Sequence, residues 1–490
     1  VYILGSKKRT YMDMQILLAF GLYFIVLLII ALYTHGKSVS ESDFIMGNRK
    51  LNFWVTSLSA HAADMSAWLF MAFPAAVFLG GVSQLWIAFG LLIGMFCNWQ
   101  FVAPKLRVAT EKNHSYTLST FFERTFVDDT GIIRVVTASM SLIFFTWYLS
   151  AGLIAMGNLF DALFGIDYYV SITISTLVVV IYTFIGGFVT VAWMDLFRGL
   201  FLLAVIMMVP IVAFMYIDGF TAISTAAYAK GISFNLFNDS SLLGITSSIF
   251  LALGWGLGYF GQPHILTKFM GIKNAADLPK SKYLGISWQF LALSSAAAVG
   301  FVGIAFFPEG LRNNELVFVD MVRALFNPFT TGLILCGILA ANMSAMDSQI
   351  LVCASVLTED IFRKIFPKMA TPKGLLLLSR IGVVLVAIVS LIFAFSKSAT
   401  VADTVFYAWS GLGCSFGPLV LTALYSNRVN KYGAIAGIIV GGVIAAFWLQ
   451  INPLLTDFPI PTMIPGFFLS IGAILFVSSL TSKRSLAKAD

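Results

Sequence analysis

Apolar runs of about 20 residues, each long enough to cross the core of a bilayer as a helix, recur along this chain from end to end. Lipid offers backbone N–H and C=O groups no partner, so a spanning segment must satisfy them internally. The runs therefore read as α-helices, and the chain as an all-α polytopic membrane protein. They fall at 14–34, 53–80, 83–104, 132–160, 168–187, 189–217, 245–271, 284–307, 326–356, 374–396, 401–426, 432–450 and 463–481, about 13 transmembrane helices. Composition agrees: 59% of the 490 residues are hydrophobic and 11% charged, where a soluble domain carries roughly 25% charged residues.

The basic residues sit in the short connections and favour one side. Connections after odd-numbered runs, with the C-terminal tail, hold 21 Lys and Arg, while the opposite ones hold only Lys230, Arg312, Arg323 and Lys397. Cytoplasmic connections are the Lys/Arg-rich ones. The split predicts a cytoplasmic C-terminus and an external N-terminus, with Lys7, Lys8 and Arg9 running against it. The net charge of +7 thus reflects topology and not a nucleic-acid surface. Cys97, Cys336, Cys353 and Cys414 are too dispersed for a metal motif and read as packing residues. No cofactor, nucleic acid or obligatory protein partner is expected. The lipid bilayer is the partner that the composition demands.

Two runs are wrong for continuous helices. The second places His61, Asp64 and Ser66 near the middle of a span crowded with small residues. Ionisable groups at that depth are costly and mark pathways or partners. The seventh reads Gly-Trp-Gly-Leu-Gly-Tyr-Phe-Gly-Gln-Pro-His from Gly254 to His264. Four glycines and a proline disfavour a straight helix, and unwound backbone at membrane depth persists only inside protein or beside a cavity. The two segments are five spans apart, an odd number, so a five-span repeat would invert. Paired interrupted spans of this kind point to a transporter site at the midplane. A third polar stretch, in the ninth run, sets Ser344, Asp347 and Ser348 on one helical face, with Ala341 and Ala345 beside Ser344. Oxygen atoms so arranged suit a hard cation such as Na+. Asp195 lies in the sixth run, close in sequence to Arg198.

These stretches resemble the sodium/solute symporter family, and within it the proline-transporting branch. The strings are Ala-Asp-Met-Ser at 63–66, Tyr-Thr-Phe-Ile-Gly-Gly-Phe at 182–188, the glycine-rich segment extended to Leu266, and Ser-Gln-Ile-Leu-Val-Cys at 348–353. The resemblance implies a LeuT-type inverted repeat of five plus five helices: 53–217 and 245–426, with an extra helix at 14–34 and two more over 432–481. It makes Asp64 the carboxylate needed for cation-coupled transport. It assigns a Na+ site to the carbonyls of Ala62, Met65 and Ala341 and the hydroxyl of Ser344. Ser66 and Trp68 match residues beside the substrate cavity, and Tyr148, Trp255, Tyr259 and Pro263 match the proline pocket. Asp195 and Asp347 match positions near a second cation site. Two departures stand out: Ala345 replaces a hydroxyl residue expected after Ser344, and Ala67 replaces a glycine expected after Ser66.

The chemistry fits. Proline is a zwitterion with an apolar ring. An unwound seventh span would offer N–H groups to the carboxylate and carbonyls to the ammonium, with Trp255, Tyr259 and Pro263 against the ring. The expectation is a non-enzymatic symporter importing L-proline with a coupling cation, Na+ favoured, across a bacterial inner membrane. Loss of the hydroxyl at Ala345 keeps H+ coupling open, with Asp64, His61 and Asp195 as protonatable groups. A symporter for another amino or organic acid is the nearest alternative. A membrane-embedded solute sensor is the alternative from another class.

Overall fold

The computed structural model describes residues 6–34, 46–185, 188–237, 241–365, 372–396 and 400–486. Lys37, Lys368, Lys397 and Lys488 of the charge count, and Gly186 and Gly187 of the 182–188 string, lie outside them. Nineteen helices carry the fold: α1 (Ser6–Thr34), α2 (Phe53–Met65), α3 (Ala72–Gly80), α4 (Leu85–Cys97), α5 (Ala103–Lys112), α6 (Leu118–Thr125), α7 (Ile132–Phe164), α8 (Tyr168–Ile185), α9 (Phe188–Phe214), α10 (Gly219–Ala229), α11 (Leu242–Gly256), α12 (Pro263–Met270), α13 (Leu278–Phe306), α14 (Val317–Leu325), α15 (Pro328–Ser355), α16 (Pro372–Ala394), α17 (Val401–Tyr425), α18 (Lys431–Leu455) and α19 (Met463–Leu486). Ten described stretches are long and apolar enough to cross a membrane, with Met14–Ile30 and Tyr168–Ile181 apolar but shorter. The figure of thirteen crossings is thus not reached by length and composition alone.

Helix ends are set locally. Asn52 accepts from the Val55 N–H to start α2, Asn327 does so for Thr330 in α15 with Pro328 in the first turn, and Asn430 does so for Tyr432 and Gly433 in α18. Thr117 and Thr120 form a reciprocal capping box on α6. The spans containing α15 and α17 are the most deeply buried, and the other helices wrap them.

Both predicted breaks are present. The second span is interrupted between α2 and α3. Ser66 adopts φ 46° and ψ −170°, and its hydroxyl accepts from the Trp68 N–H at 3.2 Å. A non-glycine residue in that region costs about 1–3 kcal/mol and persists only where the surroundings impose it. The other break separates α11 from α12. It runs through a 3-10 turn, Leu257–Gly261, and extended Gln262 to Pro263, which opens α12. The far ends of the two broken spans are laced together. Leu51 and Ile272 form a parallel bridge, and Arg49 donates to the Met270 carbonyl at 2.8 Å. Arg107 adds a 2.8 Å bond to the Ile272 carbonyl.

The glycines around the seventh-span break are contact points. A Cβ on Gly256 would lie 2.5 Å from the Gly90 carbonyl oxygen, and one on Gly94 2.2 Å from the Gly256 carbonyl oxygen. At Gly261 it would meet the backbone of Leu412, Gly413 and Gly417, and at Gly258 it would lie 2.0 Å from Nε1 of Trp409. Close helix approach, with α4 on one side and α17 on the other, explains them better than cavity lining does. Gly258→Ala should therefore lower the thermal midpoint of the purified protein markedly. Overpacking there costs about 1–3 kcal/mol or more, readable as loss of the monodisperse peak on heating. An unchanged midpoint would contradict this packing role.

Candidate functional site

The two breaks meet through one hydrogen bond. The Tyr259 hydroxyl, from the turn between α11 and α12, donates to Asp64 Oδ2 at 2.5 Å, and Gln289 Nε2 of α13 donates to that hydroxyl at 2.9 Å. Asp64 is buried near the end of α2. Among the described residues no Lys, Arg or His pairs with it. A buried carboxylate without a basic partner attracts a cation to its surroundings.

Three carbonyls of the seventh-span break have side-chain partners. Trp409 Nε1 donates to the Trp255 carbonyl at 3.0 Å, and Asn98 Nδ2 to that of Tyr259 at 3.0 Å. Gln262 Nε2 bridges the carbonyls of Gly258 at 3.2 Å and Trp409 at 3.1 Å. Protein side chains thus support three of the carbonyls expected to face an ammonium group, as membrane depth favours.

The aromatic candidates form one cluster. Trp68 lies against Trp255 with centroids 4.9 Å apart, Trp255 against Phe406 at 5.1 Å, and Tyr259 edge-on to Trp409 at 5.0 Å. Ser66 and Tyr148 line a separate small cavity with Ala67, Asn342, Ala345, Gln349 and Val405. Pro263 lines another with His264, Lys268 and Ser348. Tyr148 and His264, one from each cavity, contact edge-to-face at 5.9 Å. The six substrate candidates are thus divided: two in the smaller cavity, three in the adjoining aromatic cluster, and Pro263 beyond the Tyr148–His264 contact.

At the Na+ candidates, α2 packs directly on α15. Ala62, Met65, Ala341 and Ser344 are all buried. The Ser344 hydroxyl has no hydrogen-bond partner among the described residues, nor does that of Ser348. Most intramembrane hydroxyls here bond back one turn, as Ser355 does to the Leu351 carbonyl and Thr358 to that of Ala354. Ser344 is an orphaned oxygen beside the helix that carries Asp64, which fits an oxygen-ligated cation.

The remaining acids are neutralised. Arg198 Nη1 meets Asp347 Oδ2 at 2.7 Å with both side chains fully buried. Lys268 Nζ meets Asp195 Oδ2 at 3.0 Å, and Ser59 donates to the same oxygen at 2.8 Å. Proximity in sequence suggests Arg198 for Asp195, but the fold gives each acid a different base. His61 accepts from Trp99 Nε1 at 3.1 Å and lies parallel to that ring, which suits a neutral packing histidine. Sequence reasoning missed Trp409, Gln262 and Asn98, whose roles exist only once helices pack. It also missed Gln349, whose amide is buried and unpartnered.

Comparison with known proteins follows this geometry. The model of the sodium:solute symporter family matches residues 44–441. The chain is 41% identical over 471 residues to the high-affinity proline transporter PutP of Bacillus subtilis (strain 168), covering 95% of this chain and 98% of that one. It is 37% identical to the osmoregulated proline transporter OpuE of the same organism, covering 97% of each. It is 38% identical to the sodium/proline symporter of Staphylococcus aureus (strain JH9), covering 96% of this chain and 93% of that one. Among solved structures, the substrate-bound outward-open state of a Na+-coupled sialic acid symporter superposes with a TM-score of 0.80 at 18% identity, covering 96% and 98%. MhsT in complex with L-phenylalanine gives 0.53 at 15% identity, covering 86% and 97%. These likenesses show the LeuT-type fold of five plus five inverted helices.

The Arg198–Asp347 pair yields a stability test. Arg198→Met leaves a buried carboxylate uncompensated and should cost about 3–5 kcal/mol, whereas Arg198→Met with Asp347→Leu should recover most of that loss. Thermal unfolding of both variants checks it. A double variant no more stable than the single one would contradict the pairing.

Proposed function

The chain belongs to the sodium:solute symporter family, and on that premise we propose that it imports L-proline together with Na+ across a bacterial inner membrane by alternating access. The observation that carries this reading is the Tyr259–Asp64 hydrogen bond. It ties the broken helix of one repeat to that of the other, beside the unpartnered Ser344 hydroxyl. Relatives at 37–41% identity over nearly the whole chain, named as proline transporters, support the substrate.

Na+ sits between α2 and α15, held by the carbonyls of Ala62, Met65 and Ala341 and the hydroxyl of Ser344. Asp64, fixed by Tyr259, shapes the end of α2 and supplies negative potential without ligating the ion. Bound Na+ draws the broken second span onto α15 and so favours one conformational state. That differential affinity is what couples it to solute. Proline occupies the space bounded by Ser66 and Tyr148 and by the Trp68–Trp255–Tyr259 cluster, its ring against the aromatic faces. With the N-terminus outside and the C-terminus cytoplasmic, the cavity beside Val401 faces outward. The cavity holding Pro263, His264 and Lys268 then lies on the release side.

H+ coupling is the second reading. Asp195 and Asp347 sit in ion pairs and His61 accepts from Trp99, so these acids and this base are committed to structural roles, which favours Na+. Ala345 lines the small cavity with Ser66 and Tyr148, so its missing hydroxyl bears first on the solute.

Uptake of radiolabelled proline into proteoliposomes at a clamped potential tests this. A Na+ gradient alone should drive uptake. Ser344→Ala should raise the Na+ concentration for half-maximal uptake by about tenfold or more, because a ligand to a charged group is lost. Uptake driven by an H+ gradient alone would overturn the ion assignment, and no uptake under any gradient would overturn the substrate.

A further inference from the structure

Side chains hold three carbonyls of the seventh-span break, so the charged ends of the solute call for further partners. Among the described residues, one amide lining the cavity beside Ser66 and Tyr148 has both its donor and its acceptor unsatisfied. Gln349 of α15 is 1% exposed, and neither its Nε2 nor its Oε1 has a hydrogen-bond partner among the described residues. A buried primary amide with both ends unmade costs more than almost any other neutral group. Gln349 lines the small cavity that Ser66 and Tyr148 also line.

A second orphan faces the same space. Asn342 spends its Nδ2 on the Gly152 carbonyl at 3.0 Å, while its Oδ1 is unpartnered. Asn342, Ala345, Met346 and Gln349 line the cavity at helical spacing, so one stripe of α15 faces it. Ala341, Ser344 and Ser348 form the adjacent stripe. One helix thus presents the ion candidates on one face and two amides on the next.

We propose that Gln349 is a substrate ligand that recognises the zwitterion, with Asn342 as its helper. This rests on the reading above that the solute is an amino or imino acid. The chemistry is complementary. A secondary ammonium has two N–H donors, which match Gln349 Oε1 and Asn342 Oδ1. The carboxylate needs a donor, which Gln349 Nε2 supplies. Small Ala345 and Gly152 flank them, and Ala345 brings no hydroxyl to compete for the amides. A ligand lacking the carboxylate, or carrying one N–H fewer, leaves part of this amide set unmade, and that penalty is the source of discrimination.

The test is ligand-induced thermal stabilisation of the purified protein in Na+, using wild type, Gln349→Met and Asn342→Ala. The probes are proline, a panel of zwitterionic amino acids, pyrrolidine and N-methylproline. Met matches the length of Gln without its hydrogen bonds, so a sound fold is checked by the unliganded midpoint. If that midpoint collapses, Gln349→Glu, which keeps an acceptor oxygen and replaces the amide donor by a second acceptor, takes its place. Wild type should be stabilised by proline far more than by pyrrolidine or N-methylproline. Gln349→Met should need about 10- to 100-fold more proline and lose the preference over both analogues, and Asn342→Ala should lose chiefly the preference over N-methylproline. A general packing defect would not erase analogue discrimination. Equal proline affinity and discrimination in wild type and Gln349→Met would overturn the inference. If another amino acid stabilises wild type but not Gln349→Met, the ligand role stands and the proline assignment fails. If no zwitterion stabilises wild type, both fall.

Discussion

Two helices interrupted in the middle of a membrane leave backbone groups that lipid cannot satisfy, and the rest of this structure depends on how protein satisfies them. At the first break the Ser66 hydroxyl takes the Trp68 N–H. At the second, Trp409, Gln262 and Asn98 take the carbonyls of Trp255, Gly258 and Tyr259. Those donors come from α17, from the break itself and from the π-helical turn that follows α4. The breaks are therefore fixed points of the fold, held from several helices at once. Close packing is the precondition. Gly258 and Gly261 let α17 approach, and Gly90, Gly94 and Gly256 let α4 approach.

With the breaks fixed, electrostatics decides what the centre can attract. Two pairs of buried charges cancel, Arg198 with Asp347 and Lys268 with Asp195. Among the described residues, Asp64 is left with hydroxyl support from Tyr259 alone. One uncompensated carboxylate beside an orphaned Ser344 hydroxyl makes a cation the natural complement. The same logic one face around α15 makes a zwitterion the complement of Gln349 and Asn342. On the proposed reading, ion and solute would lean on a single helix, so that ordering α15 for one would prepare it for the other.

Much of this was legible in the residues. Glycine and proline density marked the second break, and an acid among small residues marked the first. The inverted five-plus-five arrangement followed from their spacing. What was not legible required tertiary neighbours. Asp195 and Arg198 are neighbours in sequence, yet each pairs with a residue from a distant helix. The glycines of the seventh span look like cavity lining and prove to be contact points. No local signal marked Ser66 for a positive φ. Gln349 sits in a string that reads as family signature, and its unsatisfied amide shows only when every neighbour is in place. In the aromatic-rich spans near both ends, Phe20, Tyr23 and Phe467 are buried, because a span that touches lipid also has an inner face.

The central claim is that ion and solute share one free-energy linkage through α2 and α15. The most direct measurement is equilibrium binding of radiolabelled Na+ and of radiolabelled proline to the purified protein, each at zero and saturating levels of the other. Linkage requires that proline raise Na+ affinity by the same factor as Na+ raises proline affinity. A common factor of roughly 5- to 150-fold, the usual span of such couplings, is the predicted result, and it should vanish in Asp64→Asn. Proline binding that is indifferent to Na+ would contradict the account.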